Sequence, residues 1–181
     1  MKIIVFYLVV IGIACCIPSD DTTSNTKYVM ENGAYIVGAD MNEIVLVNNP
    51  NATDVTYDEL ISFVKLDKTD KILYVDEVFV CADFAELLHN NAEAYGIRSA
   101  YVTVSFQNDK IGHAFNAFTT NDKGIIYIDS TGYKEITPCS ADRIIGVEVG
   151  KPMWYYKVTK CDGYYSVPFV ADKVKSMTVT W

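Results

Sequence analysis

A thiol, an imidazole and a carboxylate follow one another in the stretch from Val80 to Asp129, VCADFAELLHNNAEAYGIRSAYVTVSFQNDKIGHAFNAFTTNDKGIIYID. Cys81 opens an expected helix, His113 opens an expected strand, and Asp129 closes the next strand. A thiolate can attack a carbonyl carbon, a neighbouring imidazole can carry the proton away and back, and a carboxylate on the far ring nitrogen fixes the tautomer. Each residue taken alone has a plainer explanation. A free cysteine is most often an inert buried thiol, a lone histidine a hydrogen-bonded structural residue, and an aspartate at a strand end a turn former. Their joint order and spacing select the chemical alternative: nucleophile Cys81, base His113, orienting acid Asp129.

The elements that must position these groups follow from periodicity. From Ala82 to Tyr95 the apolar positions Phe84, Leu87, Leu88, Ala92 and Tyr95 recur every three or four residues, and Gly96 follows as a helix stop. Cys81 therefore falls in the first turn, where unpaired N–H groups and the positive end of the helix favour a thiolate and can donate to an oxyanion. Asp83 opposes the thiolate but suits the helix. Ala100 to Phe106 alternates Tyr/Thr/Ser with Val/Val/Phe and predicts a half-buried strand. His113 to Phe118 and Ile125 to Asp129 predict two more strands, joined through Thr120-Asn121-Asp122-Lys123-Gly124. A hairpin centred near Asn121 or Asp122 brings His113 and Asp129 within a position or two of each other. Adjacent strands lie about 5 Å apart, so a hydrogen bond between them is available. Asn116 faces away from His113 and is expected to bond within the sheet. Gly112 either permits close backbone approach or bends the strand start.

Upstream, Thr56 and Glu59 form a capping box that predicts a helix over Tyr57 to Lys65, with Asp67 to Lys71 as a loop beyond it. Ala34 to Val37 and Glu43 to Val47 suggest two strands or a hairpin, and Asn51-Ala52-Thr53 is a glycosylation sequon. Downstream, Ile144 to Val149, Met153 to Val158 and Met177 to Trp181 predict strands. Trp154, Tyr155, Tyr156, Tyr164 and Tyr165 make that end rich in aromatics, best explained by packing.

The combination of a cysteine at a helix start after an aromatic-rich approach, GHAFNAF, and GIIYIDSTG resembles the transglutaminase-like superfamily over roughly Thr56 to Gly132. Within that span, NNPNATDVTYDEL, CADFAELLHNNAEAYGIR and GHAFNAFTTNDKGIIYID are similar to archaeal exported proteins carrying this domain. The resemblance implies an α+β fold with a papain-like core, the Cys helix packed on an antiparallel sheet. It also implies a Cys-His-Asp triad mapping onto Cys81, His113 and Asp129. The implied activity is acyl transfer from peptide, isopeptide or side-chain amide bonds, as protease, amidase or crosslinking enzyme, on a protein or peptide substrate and with no metal or organic cofactor. Many members carry an aromatic residue after the cysteine, where this chain has Ala82 and Asp83. For a further oxyanion donor, Tyr74, Gln107 and the Cys81 N–H remain open. The alternative function is a non-catalytic cell-envelope binding module that keeps the fold.

The chain has 181 residues, half of them apolar, enough for one domain with a real core. Its 23 acidic against 15 basic side chains give a net charge of -8, the wrong field for a phosphate-backbone binder, so no nucleic-acid partner is expected. Lys2 followed by the apolar run Ile3 to Ala14 has the length of a secretory signal rather than a membrane span. Residues 1–17 are read as a leader of lipoprotein type, with Cys15 or Cys16 as the lipidated residue, ahead of an ordinary cleaved signal and an uncleaved anchor. Residues 18–27 are read as a tether and 28–181 as one domain, placing the protein outside the cytoplasm on a membrane anchor. Cys139 and Cys161 are open between a disulfide and two buried thiols. His89 lacks any CxxC or HExxH companion, so a solvated or capping role is expected instead of a metal ligand.

Overall fold

The computed structural model describes residues 26–28, 30–31, 34–35, 38–39, 41–108, 112–134, 141–158 and 172–181. The leader, the tether up to residue 25, Cys139 and Cys161, with the pairing considered for them, lie outside the described residues, whereas Thr26 and Lys27 at the end of the tether fall in β1. The fold is α+β. Its strands are β1 (Thr26–Tyr28), β2 (Met30–Glu31), β3 (Ala34–Tyr35), β4 (Val45–Val47), β5 (Ala100–Phe106), β6 (His113–Thr120), β7 (Gly124–Asp129), β8 (Arg143–Gly146), β9 (Trp154–Lys157) and β10 (Val174–Thr180). Its helices are α1 (Tyr57–Leu66) and α2 (Cys81–Tyr95), with a 3-10 turn at Thr69–Lys71 where the sequence suggested only a loop. Six strands form one antiparallel sheet in the order β10-β5-β6-β7-β8-β9. Among the described residues no helix is long and apolar enough to cross a membrane.

The local signals act as their chemistry dictates. Thr56 accepts from the Glu59 N–H while the Glu59 carboxylate accepts from the Thr56 N–H at 2.8 Å, closing the capping box of α1. Gly96 ends α2 with φ of 94°, a left-handed value that a side chain would oppose. The β6–β7 hairpin turns over Asn121–Lys123, so Thr120 pairs with Gly124 and Asn116 with Ile128.

The sheet curls. Lys173 bridges Pro152, and Val174 exchanges backbone hydrogen bonds with Lys151 and Gly150, so the start of β10 meets the approach to β9. Val102, Val104, Phe115, Ala117, Ile145, Met153 and Val174 fill the concave side. On the convex side α2 packs through Ala82 and Ala85 against Tyr101, Ala114, Ile44 and Leu46. Leu88 and Ala92 join Leu60, Phe63 and Val64 of α1, with Phe118 and Ile128. This two-sided cover corrects the half-buried expectation for β5: its first five residues are all buried, the Tyr101 and Thr103 face lying on the helix side.

The stretch before α2 also differs from expectation. β3 and β4 do not pair with each other; β3 pairs with β2, and β4 with β1. The opposite flank of β4 is taken by side chains of α2. Val45 N–H donates to Glu86 and Val47 N–H to Asn90, both at 2.9 Å, and Asn49 N–H donates to Glu93 at 2.9 Å. Acceptors spaced three and four residues along one helix face thus meet every second N–H of an extended segment, because both repeats advance at a similar rate along a common axis.

Candidate active site

Cys81, His113 and Asp129 reach one place from three elements. Cys81 is the first residue of α2 and half-buried, its helix held at that end by Asp83, whose carboxylate accepts the N–H groups of Val80 at 2.8 Å and Ala39 at 3.2 Å. Asp83 is therefore engaged with the backbone. His113 begins β6, opposite Val104 of β5. Gly112 precedes it where a methyl group would come within 2.5 Å of the Val104 carbonyl oxygen, so close backbone approach, and not only a bend, is what this glycine serves. Asp129 ends β7. Continuing the hairpin register sets Asp129 opposite Phe115, two residues short of His113, which makes it a diagonal neighbour of His113 on the concave side that also carries Phe115 and Tyr127.

His113 Nε2 lies 3.0 Å from Asp129 Oδ2. The Cys81 side chain is near enough to support the charged form of the His113 ring. With Nε2 turned to the carboxylate, Nδ1 is the ring nitrogen left for sulfur. Burial alone would push the His113 imidazole down, but the charge and hydrogen bond of Asp129, then the hydrogen bond and negative charge of Cys81, drive it up to about 10. The ring is therefore an imidazolium at neutral pH and donates from both nitrogens. Its side chain keeps 18% of its surface exposed, so this charged ring still has an open side.

Asp129 is 3% exposed. Burial alone would raise its carboxyl; the Arg143 guanidinium, the His113 charge and hydrogen bond, and then Thr131 hold it well below the usual carboxylate range, and the Thr131 N–H donates to Oδ1 at 2.9 Å. Arg143 stands directly across from it in the β7–β8 register, with Nη2 3.5 Å from Oδ2 and donating to the Thr131 carbonyl at 2.6 Å. The Tyr133 and Tyr155 rings each lie 5.7 Å from the guanidinium. Burial, then the negative charge of Asp129, raises the Tyr155 hydroxyl above its ordinary value, with Arg143 opposing. Sequence reasoning missed Arg143. The available signal was a single cation opening an otherwise apolar strand, in Arg143-Ile144-Ile145-Gly146.

Of the open oxyanion donors, Tyr74 lies within the field of Cys81: burial, then the Cys81 charge, raises its hydroxyl. Its ring stacks on Phe84 of α2 at 6.3 Å, and its N–H donates to the Tyr133 carbonyl at 2.9 Å. Gln107 is exposed beyond the end of β5 with its N–H on the Lys173 carbonyl. The Cys81 N–H opens a helix and has no acceptor within it.

Other expectations change. His89 is not solvated: it is fully buried, with Nε2 3.0 Å from Asn48 Oδ1. It lies on the buried face of α2 with Ala85, Leu88 and Ala92, and a polar ring there must find a partner. Asn116 bonds within the sheet, to the Ala100 carbonyl at 3.4 Å, and also across to the helix, its amide donating to the Ala85 carbonyl at 2.9 Å. Among the described residues no group of three or more His, Cys, Asp or Glu side chains is arranged to hold a metal. Such an arrangement can generate a thiolate, shuttle one proton, and stabilise a nearby anion with helix N–H groups. Comparison of the chain with family models, with curated proteins and with solved structures finds no match in any of the three.

Proposed function

We propose that this protein is an exported, membrane-anchored thiol acyl-transfer enzyme with a transglutaminase-like, papain-related core, acting on peptide or side-chain amide bonds. The observation that carries this reading is that the imidazole bonded to the buried Asp129 carboxylate at 3.0 Å also has its charge supported by the Cys81 side chain at the tip of α2. A histidine serving only the core needs no thiol at a helix tip on one nitrogen and a buried carboxylate on the other.

In the proposed reaction the Cys81 thiolate attacks the amide carbon, forming a C–S bond, and the carbonyl π electrons move to oxygen. The α2 N-terminal N–H groups stabilise that oxyanion. As the oxyanion collapses the C–N bond breaks, the His113 imidazolium gives its Nδ1 proton to the departing amine, and a thioester remains. Water or an amine then attacks the thioester while His113 takes its proton, and the thiolate leaves. Water completes hydrolysis; an amine completes crosslinking. Asp129 holds Nε2–H throughout, so the ring presents Nδ1 to the reaction.

The test is alkylation of the purified full chain by iodoacetamide at neutral pH, with the modified residue located by peptide mass spectrometry. Cys81 should react at least about tenfold faster in the wild type than in His113→Ala, as expected for a thiolate supported by a neighbouring cation. Equal rates in the two proteins would falsify the enzyme and favour the binding module.

A further inference from the structure

Asp129 Oδ2 has two cationic neighbours. His113 Nε2 approaches it at 3.0 Å from β6 and Arg143 Nη2 at 3.5 Å from β8. The other oxygen, Oδ1, is taken by the Thr131 N–H at 2.9 Å. The guanidinium has little freedom to leave. Its Nη2 is also fixed to the Thr131 carbonyl at 2.6 Å, and it lies 5.7 Å from each of the Tyr133 and Tyr155 rings. Arg143 and Asp129 are paired residues of neighbouring strands, so this placement is set by register and not by a flexible reach.

We propose that Arg143 is a positioning residue for the Cys81, His113 and Asp129 set: it locks the Asp129 carboxylate in place and shares its Oδ2, weakening the hold of that oxygen on the His113 imidazolium. The proposal rests on the acyl-transfer reading, because only there must the imidazolium release its proton. A buried carboxylate with His113 as its sole partner would bind that ring too tightly to let it act as an acid towards a leaving amine. A second cation on the same oxygen takes part of the negative potential. The groups facing Asp129 are His113 from β6, Arg143 from β8 and Tyr155 from β9, with Cys81 of α2 acting from beyond His113. Arginine suits the role better than lysine, because its planar fork can hold the Thr131 carbonyl and lie over aromatic rings while staying charged.

The experiment follows the His113 ring by NMR as pH is varied, in Cys81→Ala and in Cys81→Ala/Arg143→Gln. The chain has two histidines, so the signals are assigned by one His89 or His113 variant. Omitting the thiol separates this test from the enzyme question: failure of His113-dependent alkylation would remove the proposed activity and leave the Asp129–Arg143 relationship to be judged alone. Loss of the guanidinium should move the His113 titration midpoint upward, by about threefold or more in proton affinity. An unmoved or lowered midpoint overturns the proposal. Arg143→Lys in the same background keeps the charge and should stay within about threefold of its parent; a larger displacement overturns it too, and this variant decides the matter if Arg143→Gln does not fold.

Discussion

The side-chain amide of Asn116 donates to the main-chain carbonyl of Ala85 at 2.9 Å, joining the middle of β6 to the first half of α2. Asn116 is three residues from His113 and Ala85 four from Cys81, so one hydrogen bond sets how far the helix tip extends beyond the strand start. A second contact from the same amide, to the Ala100 carbonyl at 3.4 Å, ties in β5. The site geometry is therefore fixed within the core.

Asn116→Ala should lower unfolding free energy by about 1–3 kcal/mol, because a buried carbonyl loses its donor and a small void opens. Asn116→Asp should cost more, since a carboxylate would face the Ala85 oxygen in a site that is 1% exposed. Urea unfolding at equal pH checks the order. Asn116→Asp as stable as the wild type would mean that the amide does not hold the helix.

Asp129→Asn should abolish the elevation of His113. The carboxylate charge that raises the ring would be gone and burial would prevail, so the midpoint should fall from about 10 to near or below its ordinary value of 6.5. Iodoacetamide labelling of Cys81 at neutral pH should drop on the order of 10²-fold, as the ring loses both charge and orientation. NMR titration and labelling read these two effects separately.

The same pair makes stability depend on pH, and the sign follows from the direction of each shift. His113 is raised on folding, so its contribution is complete below its ordinary value of 6.5 and disappears as pH climbs through about 10. Asp129 is lowered on folding, so its contribution is complete above its ordinary value of 3.8 and disappears as pH falls further. Thermal unfolding should accordingly show both contributions in full between 3.8 and 6.5 and a progressive alkaline decline from 6.5 towards about 10 that His113→Ala flattens. An alkaline slope that is unchanged in His113→Ala would assign the decline to other groups.

The parts of the fold and site governed by local chemistry were legible in the chain. The three-and-four spacing from Phe84 to Tyr95 with Gly96 defined α2, and the turn residues Asn121 to Gly124 set the hairpin centre and hence the nearness of His113 and Asp129. What failed depended on distant partners. The polar Tyr101 and Thr103 positions of β5 looked solvent-facing because nothing in the local alternation reveals that a helix covers them. The partners of β3 and β4 could not be read from their own residues, and nothing in the spacing of Glu86, Asn90 and Glu93 reveals that each accepts a backbone N–H from the 45–49 segment. Arg143 reaches Asp129 only through the β7–β8 register, set across a connection without a turn motif.

Gly132 is the last position at which a small change should disturb the site from outside it. It lies three residues after Asp129, and a methyl group there would overlap the Ile72 carbonyl oxygen and come within 3.0 Å of the Phe84 ring. Its backbone torsion carries no requirement for glycine, so the demand is purely one of space. Neither neighbour yields easily: Ile72 begins the segment that brings Tyr74 onto the Tyr133 carbonyl, and Phe84 is 1% exposed between Tyr74 and Phe79. Gly132→Ala should therefore destabilise by about 1–3 kcal/mol, as overpacked cores do. It should also slow Cys81 alkylation, because relief comes by pushing out the 72–79 segment or by tilting Phe84 and with it the first turn of α2. Gly124→Ala serves as the contrasting variant: a methyl there meets nothing within 4 Å but φ is 72°, so it should lose stability through backbone strain and leave alkylation unchanged. Equal alkylation rates in the two glycine variants would separate the Gly132 contact from the geometry of the thiol.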